Sequence, residues 1–376
     1  MKGFGSATAT GEAFTFAMVD PIQEKLHRID QQAAGRIAIA DEITNPDTRD
    51  RYIFSSLVEE SITSSQLEGA STTRQVAADM IRSGRKPRDK SEQMIYNNFI
   101  ANRHIRTLAN RPLTPANVRE LHRILMEDTL DDPDAAGRLQ TPDEERVVVV
   151  DNRSSTILHT PPPASQLASR LKTMCQFANG EKNGPFLHPV IRAIILHFWV
   201  GYDHPFVDGN GRSARSLFYW SMISSGYWLI EYVSISTILK KAFAQYARSY
   251  LYAESDENDA TYFIVYQLEI LIQALAELEA YIERKINQVR AVEKRLRGRS
   301  NYNHRQLALL SHALRHPGAH YSIKSHRISH NVAYATARQD LLTLAEHNLL
   351  EQRRAGKKTL EFFAPDDLGK RVSNLG

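Results

Sequence analysis

Four consecutive valines, Val147 to Val150, interrupt a chain whose apolar residues otherwise recur at helical spacing. β-Branched side chains favour extended backbone, so Arg146–Asp151 is expected to form a strand. Asn152–Ser155 reads as a turn and Thr156–Leu158 as the return strand. Thr160-Pro161-Pro162-Pro163 then stops the hairpin, because proline cannot donate to a ladder. Around this hairpin the pattern is helical. Tyr52, Ile53 and Leu57 share one face, as do Met94, Ile95, Phe99, Ile105 and Leu108. Thr114-Pro115 supplies a cap and a first-turn proline for a further helix carrying Val118, Leu121 and Leu125. Helical pattern resumes at Ser165 and runs, with loops, to about Arg297, ending in the long amphipathic stretch Tyr262–Arg297. Such a chain is mainly α with one hairpin. The segment Met1–Glu12 is small, polar and Gly-rich, and is expected to be poorly ordered.

Beyond a linker at Gly298–Asn303 the pattern changes. A helix from Arg305 ends near His316-Pro317-Gly318, a short one covers Ile323–Ile328, and Asn331 is placed to cap a third running to His347. Leu349–Gln352 and Thr359–Ala364 follow as strands around the turn Arg354-Ala355-Gly356-Lys357, which together predict a small winged-helix (α+β) domain. Charge separates the two ends. From Asn301 onward eleven Lys and Arg face six Asp and Glu, a net of +5 in a chain whose total is +4. Polyanion binding, if any, belongs to that end: Arg338 on the third helix and Arg353, Arg354, Lys357 and Lys358 around the turn could contact DNA phosphates. A docking module or a solvated basic face fits the same residues. The histidines there lack cysteine companions and regular spacing, which argues against a zinc site.

Cys175 is the only cysteine, so an internal disulfide is excluded and a reducing cytoplasm is the expected setting. Met1–Phe14 lacks a charged start followed by an apolar core, and apolar runs such as Ala193–Val200 are too short to span a bilayer.

The chemistry is concentrated in His204-Pro205-Phe206-Val207-Asp208-Gly209-Asn210-Gly211-Arg212-Ser213-Ala214-Arg215, between an apolar helix over His188–Asp203 and another carrying Leu217, Phe218 and Trp220. Gly209 and Gly211 permit backbone turns that aim successive N–H groups at an anion, and the helix that follows adds its own unpaired N–H groups. Arg212 and Arg215, three residues apart, share a helix face and can reach the same anion. Asp208 is an oxygen ligand suited to Mg²⁺, and His204 titrates near neutrality, as a general base requires. Any one of these residues also fits an ordinary turn. Eight constrained positions, at about one in twenty each, do not arise together by chance. The string describes nucleotidyl or phosphoryl transfer.

This string resembles the Fic-family motif, His-x-Phe-x-(Asp/Glu)-Gly-Asn-Gly-Arg-x-x-Arg, at every specified position. The resemblance extends over Ser91–Tyr281 through Leu121-His122, Gly137, His159-Thr160-Pro161-Pro162 and His188-Pro189. It implies a helical core with the hairpin as a flap beside the active site, ATP and Mg²⁺ as co-substrate and metal, and a Tyr, Thr or Ser hydroxyl of a target protein as acceptor. His204 would take the proton of that hydroxyl, and Asp208 would hold the metal. Asn210 and the amides of Gly209 to Arg215, with Ser213 and Ala214 in that turn, would hold the α- and β-phosphates. Arg212 would steady the β-phosphate, Arg215 would contact the γ-phosphate, and Phe206 would anchor the loop. The sequence departs from the family at Gln140, where many members carry Arg, and over Tyr246–Asp256, where members use paired tyrosines and an Asn.

Ser64-Ser65-Gln66-Leu67-Glu68-Gly69 resembles the family's inhibitory pattern, (Ser/Thr)-x-x-x-Glu-(Gly/Asn), and also fits a helix end capped by Gly69. A carboxylate in a last helical turn opposes the dipole, which a neighbouring arginine would offset; the resemblance pairs Glu68, with Ser64 in the motif, to Arg215. The flap would dock an extended target segment along Arg146–Val150, with Thr156, Ile157, Leu158 and His159 nearer the nucleotide. The expected organisation is 1–90 helical and inhibitory, 91–285 catalytic, 286–303 a helical linker and 304–376 winged helix. Removal of AMP, transfer of another nucleotide, or an ATP-sensing DNA-binding regulator are the competing readings. No membrane partner is expected, and a homodimer is left open.

Overall fold

The computed structural model describes residues 2–7, 13–33, 46–150, 157–180, 186–296, 302–315, 318–355 and 359–373. The chain divides into two compact units, one of residues 1–37 and 56–275, the other of 38–55 and 276–376.

The first unit opens with β1 (Lys2–Ala7) paired antiparallel to β2 (Ala13–Phe16), with Phe4 opposite Phe14. Lys2–Ala7 thus form a strand where a poorly ordered segment was expected, and Met1 and residues 8–12 lie outside the described residues. The cause is β2: Phe14 and Phe16 are buried, and the Phe14 ring meets the edges of Phe198, Trp199 and Tyr202. Then come α1 (Asp20–Ala33), with Ile22, Leu26, Ile29 and Ala33 on its buried stripe, and α2 (Pro46–Leu67), of which residues from Ser56 belong to this unit. Next are α3 (Arg74–Ser83), α4 (Lys90–Leu108) and α5 (Pro115–Met126). Thr114 caps α5 in a reciprocal box with Asn117.

The flap is shorter than expected. β3 is Val149–Val150 and pairs irregularly with β4 (Ile157–His159), while Arg146 to Val148 lie outside any strand. Arg146 explains this. Its guanidinium turns inward onto the carbonyls of Pro162, Asp203 and His204, which removes its residue from a ladder. The turn Asn152–Ser155 and Thr156 lie outside the described residues.

After the prolines come α6 (Leu167–Asn179), α7 (Pro189–Asp203), α8 (Asn210–Ser224), α9 (Ile235–Lys241), α10 (Phe243–Ser255) and α11 (Thr261–Leu296), whose residues from Ala276 belong to the second unit. α7 is apolar nearly all round and buried over almost its whole length against α8, so this pair is the centre of the unit. Its C-terminus is fixed by a buried pair: Arg170 Nε lies 2.9 Å from Asp203 Oδ1, and Trp199 Nε1 donates to Oδ2 at 3.0 Å. The arginine offsets a carboxylate that the helix dipole disfavours at this end.

The second unit contains α12 (His304–Arg315), β5 (His320–Ser322), α13 (Ile323–His330), α14 (Tyr334–Glu346), β6 (Glu351–Ala355), β7 (Thr359–Phe363) and α15 (Leu368–Ser373). Its antiparallel sheet has the order β5-β7-β6 over a core that includes Leu310, Leu341, Leu344, Leu349 and Phe362. Buried Asp340 ties α14 to α12 and α13 through Arg305 Nε at 2.7 Å and His326 Nε2 at 3.2 Å. Asn331 does not cap α14. It closes α13 at a left-handed φ of 49°, its N–H on the Arg327 carbonyl, and α14 begins after Ala333 without a side-chain cap. Leu349 and Leu350 are core residues that precede β6 instead of opening it. Among the described residues no helix is long and apolar enough to cross a membrane.

Candidate active site

α7 ends at His204, whose backbone takes a left-handed φ of 42° while its N–H still donates to Val200 O at 3.0 Å. A positive φ is uncommon for a non-glycine residue, and it swings this imidazole off the helix axis. His204 Nδ1 lies 3.2 Å from Gly201 O. A carbonyl only accepts, so Nδ1 carries the proton and Nε2 keeps its lone pair. Burial holds the His204 pKa below the ordinary imidazole value, and the bond to Gly201 opposes that only in part. The ring is therefore neutral near pH 7, with a free basic nitrogen.

The loop after His204 is closed by its own side chains. Phe206 is fully buried and stacked face to face on His122, with centroids 3.7 Å apart and planes 5° from parallel. Phe206 N–H donates to Asn210 Oδ1 at 3.0 Å, and Asn210 Nδ2 donates to Phe206 O at 2.8 Å. Both ends of the Asn210 carboxamide are thus spent on the loop backbone, so this side chain shapes the cradle. His122 fixes the next residues. Its Nδ1 accepts from Gly137 N–H at 2.8 Å and its Nε2–H donates to Asp208 O at 2.9 Å, while burial pushes its pKa down to about 4. Gly209 sits at φ 75°, and a Cβ there would overlap Met126 Sδ, so glycine is required on both counts.

The Asp208 side chain is about half exposed, at 51%, and its Oδ1 accepts from the Gly209 N–H at 2.5 Å. α8 starts at Asn210, so its first amides lack intrahelical acceptors and its positive dipole end faces the loop. Ser213 and Ala214 are buried in this first turn. Arg212 is fully buried, with Nη1 donating to Leu125 O at 3.2 Å and Nη2 on Met126 Sδ at 3.2 Å, whereas its Nε has no hydrogen-bond partner among the described residues. Its closest carboxylate is Asp208, at 3.8 Å.

Arg215 is buried and fully engaged by the end of α2. Its Nε donates to Ser64 Oγ at 2.9 Å, and its Nη2 donates to Ser64 O at 3.0 Å and to Glu68 Oε1 at 2.7 Å. Burial alone would lower the Arg215 pKa, and the charges of Glu68, Tyr246 and Glu60 with the Glu68 hydrogen bond together outweigh it. The Glu68 carboxylate also lies against Gly211, where a Cβ would overlap Oε1. A carboxylate of the chain therefore sits at the N-terminal turn of α8, beside the arginine that reaches it.

These groups open into one cavity of about 220 Å³ lined by Glu68, His204, Gly211, Arg215 and His159, with Phe243, Tyr246, Ala247, Tyr250, Leu251 and Glu254 from α10. Tyr246 Oη is 2.9 Å from buried His197 Nε2 and 3.4 Å from Tyr250 Oη. Gly201 leaves room for Tyr250, since a Cβ there would come within 2.6 Å of its hydroxyl. His159, the last residue of the flap, points Nε2 at Tyr202 O (2.6 Å) and Nδ1 at Glu254 Oε2 (2.9 Å). Thr156 lies outside the described residues, and of Ile157 and Leu158 only the backbone is described.

Residues 112–222 match the model of the Fic/DOC family. The chain carries a Fic-family domain. Over 69 residues it is 36% identical to "Protein adenylyltransferase Fic" of Drosophila grimshawi and 38% identical to that of Drosophila mojavensis. Those matches cover 18% of this chain and 14% of each relative, so the chain spans a small part of the curated relatives it matches. The fold is shared more widely. A Fic family protein from Desulfovibrio desulfuricans superimposes with a TM-score of 0.57 at 19% identity, over 93% of this chain and 98% of that one. A Fic domain containing signaling protein from Bacteroides thetaiotaomicron gives 0.55 at 20% identity, over 69% and 97%.

Against that fold, two sequence departures take physical form. Gln140 is buried, and its Oε1 accepts from Arg146, which in turn holds Asp203 O at 2.7 Å and His204 O at 3.2 Å. An arginine thus reaches the motif loop from residue 146 with glutamine as its support. The Tyr246–Asp256 region, dissimilar in sequence, nonetheless supplies the aromatic wall of the cavity. Sequence reasoning left that wall unassigned because its residues meet the loop only through tertiary packing.

Proposed function

We propose that this Fic-family chain transfers AMP from Mg-ATP to a Tyr, Thr or Ser hydroxyl of a target protein, and that Glu68 holds it in a slow state. One observation carries the reading: the Glu68 carboxylate lies in the cavity with His204, bonded to Arg215 and packed on Gly211. A helix N-terminus with a neighbouring arginine is an anion site, and here the chain's own anion takes it.

The residues fit a polyphosphate. Arg212 is buried with an unused Nε, and glycines stand at the two loop positions where side chains would intrude. They also fit Mg²⁺. Among the described residues no group of three or more His, Cys, Asp or Glu forms a cage, and Mg²⁺ is commonly held by one or two carboxylates plus substrate phosphates. Asp208 would be that carboxylate, and the metal would neutralise charge on the phosphates.

In this reading the cavity's aromatic wall receives the base, and α8 with Arg212 and Arg215 holds the phosphates. His204 Nε2 takes the proton from the target hydroxyl as its oxygen attacks the α-phosphorus. The bond from that phosphorus to the β-phosphate oxygen breaks, and pyrophosphate leaves with the electron pair. The two-stranded flap has unpaired outer edges among the described residues, to which an extended target segment can add. The test is label position. Transfer of AMP carries label from α-³²P-ATP to protein and none from γ-³²P-ATP; the converse result establishes phosphoryl transfer and rejects the proposal.

A further inference from the structure

The second unit holds a feature unrelated to the cavity. α13 and α14 are joined by three residues, 331–333, the spacing of a helix-turn-helix. One side of α14 is core, through Ala337, Leu341 and Leu344. The opposite side of its first two turns exposes Tyr334 (55%), Ala335, Arg338 and Gln339. Arg327 on α13 and Arg353 and Arg354 on β6 are exposed as well. Carboxylates cancel only part of these charges. Asp340 is buried on Arg305 and His326, and Glu351 is shared between Arg353 and Arg371, each at 3.2 Å. Among the described residues no ion pair engages Arg327, Arg338 or Arg354.

We infer that this face of the second unit binds duplex DNA, with α14 in the major groove and Arg327, Arg338, Arg353 and Arg354 on phosphates. Protein-docking surfaces also favour Arg and Tyr, but they bury a core of apolar side chains. This face is cationic, and its central helix carries small residues beside Gln339, a side chain type that reads adenine edges. The net +5 beyond Asn301, set against −1 for the rest of the chain, makes the attraction local to this unit.

Four arginine–phosphate contacts give a slope of log affinity against log salt of about −3.6, a weakening of roughly 100-fold between 50 and 200 mM salt. Fluorescence anisotropy of the full chain with a labelled 30-base-pair duplex reads this directly. The double variant Arg327→Glu/Arg338→Glu should bind at least about 10-fold more weakly, with a slope shallower by about 2. Arg327→Lys/Arg338→Lys should keep the slope. Should the charge-reversed chain fail to fold by circular dichroism, Arg354→Gln must still reduce the slope by about one. A wild-type slope shallower than about −1, equal binding by the charge-reversed variant when folded, or tighter binding to single-stranded RNA of the same length would each overturn the inference.

Discussion

Replacing Glu68 by glycine removes one of the three hydrogen bonds that hold Arg215 and leaves the fold around it in place. α2 ends at Leu67, Glu68 lies in the closing turn, and Gly69 already accepts the positive φ there, so a second glycine adds little strain. Arg215 keeps Ser64 Oγ at 2.9 Å and Ser64 O at 3.0 Å, which preserve its orientation. What is lost is a partly buried, charge-assisted bond of 2.7 Å. Bonds of that kind contribute about 1.5–3 kcal/mol, equivalent to about 10- to 150-fold in rate if all of it opposes the productive phosphate contact. The carboxylate also vacates Gly211, which opens the N-terminal turn of α8 to phosphate. Incorporation of α-³²P label by wild type and Glu68→Gly at equal concentration measures the gain, with circular dichroism confirming the fold. Arg215→Ala should be inactive in either background, because the productive contact goes with the inhibitory one. A Glu68→Gly chain that labels no faster than wild type would falsify the autoinhibition argument and return Ser64–Gly69 to the status of a helix end.

The site makes three further predictions. In the Glu68→Gly background His204→Ala should lower transfer by about 10²–10⁴ while ATP affinity, carried by arginines and amides, stays within a few-fold; retention of more than a tenth of the rate rules out His204 as the base. Asp208→Ala should weaken Mg-ATP binding more than binding of metal-free ATP, and equal losses by calorimetry would make Asp208 a structural residue. Stability should fall in mild acid: His122 stays neutral when folded, with its pKa pushed down to about 4 by burial, but protonates near its ordinary 6.5 when unfolded. Its contribution is complete above about pH 6.5 and lost as pH falls towards 4, a span worth about 3 kcal/mol. Urea titrations from pH 7 to 4.5 should therefore show a shallower pH dependence for His122→Gln than for wild type, and parallel curves would contradict a buried neutral imidazole.

The catalytic loop was legible in the sequence because each of its positions answers a separate physical demand, and those demands fall within twelve consecutive residues. His204, Gly211 and Arg215 line one cavity with Glu68, which comes to Arg215 from a distant helix, whereas Asp208, Gly209 and Arg212 are not part of that lining. Asn210 was read as a phosphate ligand, yet its carboxamide closes the loop on Phe206. A residue type that can do either gives no local sign of which. Arg146 looked like strand because four valines follow it, and its inward guanidinium is a tertiary choice that β-propensity does not register. Asn331 was assigned to the helix it precedes when it terminates the one before, since asparagine suits both a cap and a left-handed closure. The α10 wall was illegible for a simpler reason. Tyr246, Tyr250 and Glu254 lie on one helical stripe that any core could use, and only packing against α7 turns them towards His204.

The reaction itself is tested most directly by mass spectrometry of the Glu68→Gly chain after incubation with ATP, Mg²⁺ and cell lysate. The account predicts a single AMP added through a phosphodiester to a Tyr, Thr or Ser side chain, absent when His204 is also replaced by alanine. A phosphate adduct, a different nucleotide group, or an AMP adduct that persists without His204 would contradict it.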